Sequence, residues 1–150
     1  MFSARRLLAL LACTFALLLL FAPLLMTSSN STLLSLGLLL RTFWSFFCHQ
    51  DPQKTMTFGN IPFIACYRCT ALFWGAFCGS LMALTGGPEE RVILRIVCLV
   101  GVVPLALDVL MQSCGFYANN GVRCLTGLFC GSLVTYASLR FIPERGIRNG

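Results

Sequence analysis

Charge is what this sequence has least of. Only 11% of its 150 residues are charged, against 57% hydrophobic and a mean hydropathy of +0.83. A soluble domain carries roughly 25% charged residues. The shortage excludes an ordinary water-soluble globule and points to the bilayer as solvent. Acidic residues are scarcest: five, against eleven basic, for a net charge of +6. That excess does not read as a nucleic-acid surface. The arginines stand singly or in pairs at the edges of apolar runs, with no basic stripe, as charges flanking membrane spans do. No phosphate loop or dinucleotide fingerprint is present, which sets nucleotide chemistry aside. The single histidine, His49, lies beside a cysteine, which argues against serine–histidine catalysis.

Long apolar segments are what the chain has in plenty. Arg5 and Arg6 precede an unbroken run from Leu7 to Met26. Its length, about 20 residues or about 30 Å of helix, is enough to cross a bilayer. A cleaved signal peptide shows the same order of charge and apolar run. This run is longer than such a core, and Thr27-Ser28-Ser29-Asn30 offers no small-x-small cleavage site, which favours an uncleaved anchor. Residues 33–47 are apolar but too short to span, with Arg41 in the middle. Phe43, Trp44, Phe46 and Phe47 suit the headgroup boundary, so this stretch reads as an interfacial or re-entrant helix. Turn formers and helix breakers fill the segment from Cys48 to Ala65, including Asp51-Pro52, Gly59-Asn60 and Pro62. Further spans are expected at about 66–84, 92–112 and 121–142, the second kinked at Pro104. The expected fold is an all-α membrane protein: one membrane domain of four transmembrane helices plus the short helix at about 33–47.

With four spans, both termini and the Gly86–Arg95 connection share one side. That side collects Arg5, Arg6, Arg91, Arg95, Arg140, Arg145 and Arg148, seven of the eleven basic residues. The positive-inside rule makes it cytoplasmic. The expected location is the bacterial cytoplasmic (inner) membrane. The extracytoplasmic side then receives Cys48, His49, Cys66, Cys69, Asp108, Gln112, Cys114, Asn119, Asn120, Arg123 and Cys124. An internal echo accompanies this layout: Phe77-Cys78-Gly79-Ser80-Leu81 recurs as Phe129-Cys130-Gly131-Ser132-Leu133. Gly75 precedes the first Gly by four and Gly127 the second, a spacing that lets helices pack closely. Chance recurrence in an apolar chain is the alternative to duplication.

Of nine cysteines, Cys13, Cys78, Cys98 and Cys130 lie inside apolar segments, where Cys acts as a small hydrophobe. Cys48-His49-Gln50 instead ends one apolar run, and Cys66-Tyr67-Arg68-Cys69-Thr70 opens another. Thiolate and imidazole hold zinc and similar ions, so Cys48, Cys66 and Cys69 form a candidate metal site with His49 or Asp108 as fourth ligand. Adjacent Cys and His seldom both reach one ion. Cys-x-x-Cys is also the unit of thiol–disulfide chemistry, and Arg68 between the two would lower a thiol pKa. Asp108 lies inside a span, where an acid costs about 2.5–3.5 kcal/mol on insertion scales. Gln112 shares its helix face, and Arg123 is the expected counter-ion. The pair either sets the register of two helices or takes part in binding or catalysis. In that second role Asp108 is a ligand, an orienter of His49 or a general base. Asp108, Arg123, Gln112 and Arg68 are the candidate catalytic residues.

Cys48-His49-Gln50, Cys66-x-Arg68-Cys69-Thr70, Pro104-x-x-x-Asp108-x-x-x-Gln112 and Asn119-x-x-x-Arg123-x-x-Thr126-Gly127 occur in this order. From about Phe43 to Gly131 the set resembles a family of small prokaryotic membrane proteins, domain of unknown function 2085. The resemblance implies a polytopic membrane protein with these positions as its signature, and brings no activity with it.

The leading reading is an integral membrane protein with an outer-face Cys/His/Asp site that binds zinc, with metal-dependent catalysis as an open extension. Its rival is quinone-linked thiol–disulfide exchange. There, electrons would pass from Cys114 and Cys124 to Cys66 and Cys69 and on to a quinone. That layout is similar to the disulfide-forming membrane oxidoreductases but leaves Cys48-His49-Gln50 without a role. A structural or assembly subunit is the third. The expected partners are the bilayer and a second copy or a larger membrane complex, with no nucleic acid.

Overall fold

Leucine and alanine dominate the first helix, α1 (Ala4–Met26), and both favour helix wherever backbone groups must be satisfied internally. The computed structural model describes residues 4–59, 61–85, 91–116 and 119–142. After a tight turn, Asn30 caps α2 (Ser31–Ser45) by accepting from the Thr32 N–H at 3.0 Å. This second helix folds back along α1. Gly37 lies against Leu25 and Met26, while Trp44 meets Phe15 edge-on with ring centroids 6.1 Å apart.

The stretch from Cys48 to Ala65 is more ordered than its turn formers suggest. A single 3-10 turn (Pro52–Lys54) leads into β1 (Thr55–Phe58) and β2 (Ile61–Cys66), an antiparallel hairpin with Thr55 opposite Cys66 and Phe58 opposite Ile61. The all-α expectation is corrected here. Thr55, Thr57, Ile61, Phe63 and Ile64 suit strands, and Gly59 takes the positive φ of 61° between them. Strand β2 runs directly into α3 (Tyr67–Thr85). Two further helices, α4 (Arg91–Ser113) and α5 (Asn120–Phe141), complete the bundle. Pro104 sits inside α4 without ending it.

The tightest interface joins α3 to α5. A methyl group at Gly75 or Gly79 would collide with the carbonyl oxygens of Leu128 and Ser132, and one at Gly131 with that of Leu72. At Gly127 it would stand 2.6 Å from the Arg68 carbonyl. These pairings climb both helices together, so α3 and α5 run parallel, in contact through the glycines of the echoed segments. By contrast α4 runs antiparallel to α5. Gln112 meets Arg123 at one end, Gly101 meets Cys130 and Leu133 midway, and Leu94 packs with Tyr136, Ala137 and Leu139 at the other.

Among the described residues, three helices are long and apolar enough to cross a membrane: Arg6–Met26, Leu94–Ser113 and Asn120–Phe141. The 19-residue α3 is not one of them. Arg68, Thr70, Ser80 and its glycines dilute the run that the sequence offered as a fourth span. Its closeness to α5 nevertheless ties it to a helix that does qualify. The outward side of α4 is strongly apolar, with Leu99 63% and Leu110 58% exposed. Water does not tolerate such a surface over a whole helix, whereas lipid does.

Candidate metal centre and the polar network beside it

Cys48 closes the first helical turn after Trp44, its N–H donating to the Trp44 carbonyl at 2.9 Å. Two residues on, Gln50 adopts φ of 50°, a left-handed conformation uncommon outside glycine. Its side-chain Nε2 donates to the Arg41 carbonyl at 2.7 Å and so fixes the turn against the end of α2. The Cys48 side chain is buried as a result. Cys66 ends β2, and Cys69 stands three residues later in the first turn of α3. The three sulfurs all lie within 4.8 Å of one another. The Cys66 N–H also donates to the Cys48 sulfur at 3.2 Å.

Leu19, Ala22, Trp44, Ile64 and Ala65 bury this group, and Phe73 packs on Trp44 with centroids 4.7 Å apart. The Cys48 thiol is held well below its ordinary pKa. Hydrogen bonds from the Cys66 and Cys69 thiols are the main cause. The N–H groups of Cys66 and Gln50 add to them, against the opposing effect of burial. Two thiolates bound tetrahedrally to one zinc at about 2.3 Å lie about 3.8 Å apart, so the donors fit such an ion with little rearrangement. His49 is exposed, and neither it nor Asp108 belongs to the three-sulfur group among the described residues. Cys114 is exposed beyond α4, Cys124 is half-buried near the start of α5, and neither joins the group.

On another face of α3 lies a second constellation. Successive helical residues point about 100° apart. While Cys69 packs toward the α1–α2 side, Arg68 therefore turns to α4 and donates from Nη2 to Asp108 Oδ2 at 2.6 Å. Asp108 is only 3% exposed. Thr126 donates to the same oxygen at 3.3 Å, and Gln112 Nε2 donates to Oδ1. Arg123 is also buried; its Nε donates to Gln112 Oε1 and its Nη1 to Asn120 Oδ1 at 2.7 Å. Asn119 caps α5 by accepting from the Gly121 N–H at 2.8 Å.

The expected Asp108–Arg123 arrangement is therefore corrected in its details. Arg68 forms the ion pair, and Gln112 links Arg123 to it. Asp108 lies one turn deeper than Gln112, and α3, packed parallel to α5, brings Arg68 to that depth. Thr126 and Asn120 belong to the network although neither was a candidate site residue. Their positions three residues either side of Arg123 were the available signal.

Residues 48–137 match the family described as predicted membrane protein, domain of unknown function 2085. The match begins at Cys48 and contains the sulfur group and the polar network. A protein from Methanothermobacter thermautotrophicus, described as uncharacterized, is 32% identical over 87 residues, covering 57% of this chain and 78% of that relative. No solved structure matches. The chain is thus a member of the domain of unknown function 2085 family of predicted membrane proteins.

Proposed function

We propose that this is a metal-binding membrane protein in which Cys48, Cys66 and Cys69 hold one zinc ion near the extracytoplasmic end of a four-span bundle. The observation that carries the reading is the convergence of three sulfurs from three elements to within 4.8 Å. A backbone N–H aimed at one sulfur is the kind of outer contact that orients a thiolate ligand. Soft thiolate donors favour zinc over calcium or magnesium. Three protein ligands leave the fourth position for water or a small ligand, as in zinc sites that do chemistry. Exposed His49 stays outside the primary set.

The buried network acts as a positioning device. Both Asp108 oxygens accept hydrogen bonds, so the carboxylate is better placed to hold Arg68, and with it the first turn of α3, than to take a proton from a substrate. Concentration of Arg91, Arg95 and Arg140 at the opposite end supports cytoplasmic termini. A prokaryotic cytoplasmic membrane is the setting these charges suit.

Elemental analysis of detergent-purified protein, combined with free-thiol counting, tests the reading. Zinc at one equivalent per chain is expected, lost in Cys66→Ser or Cys69→Ser and kept in His49→Ala. Metal-free protein carrying a reducible Cys66–Cys69 disulfide would overturn it and turn the site to thiol redox chemistry.

A further inference from the structure

The first turns of α3 are packed on two sides and hollow on a third. Cys69 and Phe73 face the cluster around Cys48, and Arg68 faces α4. Thr70, Ala71 and Trp74 instead face a cavity of about 300 Å³ between α1 and α5. Met56 and Phe63 of the hairpin close its end nearest the start of α3. The wall is almost wholly apolar, and no charged side chain lines it among the described residues. The buried Thr70 hydroxyl is engaged internally, donating to the Ala65 carbonyl at 3.4 Å. Water needs several polar partners to occupy such a space, and this wall does not offer them. An empty hollow forfeits the contacts of every atom that lines it.

Two leucines form the rim. Leu20 of α1 is 43% exposed and Leu128 of α5 is 39% exposed. Both belong to helices long and apolar enough to cross a membrane. Each lies about two turns, or about 10 Å, inside the end of its span. The hollow is therefore continuous with the surface that lipid covers, at the depth of hydrocarbon rather than of headgroups. We propose that it is a binding site for one acyl chain of a bilayer lipid, which enters between α1 and α5 and lies along α3 from Thr70 to Trp74. Hydrocarbon supplies the dispersion contacts that the wall lacks and needs no polar partner. With no charge on the wall, the site selects for the chain and is indifferent to the headgroup. This assignment goes beyond the metal reading and stands whether or not the cysteines hold an ion.

The chain has two tryptophans: Trp74 lines the cavity, and Trp44 is buried elsewhere. Tryptophan emission of the full-length protein in vesicles of phosphatidylcholine brominated on its acyl chains therefore tests the site, because bromine quenches an indole only at short range. Trp74→Phe leaves Trp44 alone and supplies the background to subtract. Trp74 emission is expected to be mostly lost in brominated lipid relative to unbrominated lipid, and to be unchanged by acrylamide in the water. Ala71→Phe grows a ring from the floor into the hollow and removes most of that quenching. Leu20→Phe combined with Leu128→Phe narrows the mouth from exposed positions and lowers the quenching too, so the result is read even if Ala71→Phe does not fold. Quenching that blocking the cavity does not reduce overturns the proposal, since Trp74 would then meet lipid only outside it. Quenching by acrylamide overturns it in favour of water. Protection from both quenchers also overturns it, in favour of a resident apolar molecule that lipid does not replace.

Discussion

A carboxylate without water must take its partners from the helices around it. Asp108 takes them from Arg68 of α3, Gln112 of α4 and Thr126 of α5. Removing one member of a buried pair leaves the other's charge uncompensated, at about 3–5 kcal/mol. Asp108→Asn is therefore expected to destabilise the protein by about 3 kcal/mol in detergent unfolding. Arg68→Gln added to it should restore part of the loss; a strictly additive double variant would show that the pair is not coupled. Cys48 supplies a pH dependence. Hydrogen bonds hold its pKa down, so the folded chain gives up the thiol proton more readily than the unfolded chain. The resulting stabilisation is full above the ordinary value of 9.0 and fades as pH falls toward the depressed one. In chelator-treated protein, the gap in Tm between wild type and Cys48→Ser should widen from about pH 6 to about pH 9. At this scale the sequence was half legible. Four-residue spacing on one helix joined Asp108 to Gln112, but the choice of Arg68 over Arg123 depends on how α3 leans on its neighbours, which no local pattern encodes.

Among the elements, α3 and α5 are bound by backbone contact rather than by side chains. Gly131→Ala is expected to destabilise by about 1–3 kcal/mol, the usual cost of overpacking, because its methyl meets a carbonyl that cannot move alone. Gly101→Ala brings its methyl to 3.0 Å from the Leu133 Cβ, a few tenths of an ångström too close rather than the overlap met at Gly131, and should cost less. Thermal unfolding of the two variants in one detergent checks the order. Long apolar runs made the helices readable to within a few residues. The hairpin was hidden because Gly59-Asn60 and Pro62 were read as interruptions. Strand-forming Ile61, Phe63 and Ile64 beyond the turn carried the stronger message.

For the whole molecule, the charge distribution sets a direction. The end bearing exposed Cys114 should face outward, and the end bearing Thr85 inward. A membrane-impermeant maleimide is expected to label Cys114 on intact cells. Thr85→Cys, in a Cys114→Ser background, should be labelled only after permeabilisation, and the reverse pattern would invert the topology. The parallel course of α3 and α5 was already legible as that of alternate spans in the four-span order; the glycine contacts add that the two touch backbone to backbone. The first turn of α3 joins the two halves of the site, because Cys69 and Arg68 are consecutive on one rigid cylinder. Any roll of that cylinder that draws the sulfur inward also swings the guanidinium, so the two chemistries are geared like teeth on a shared shaft.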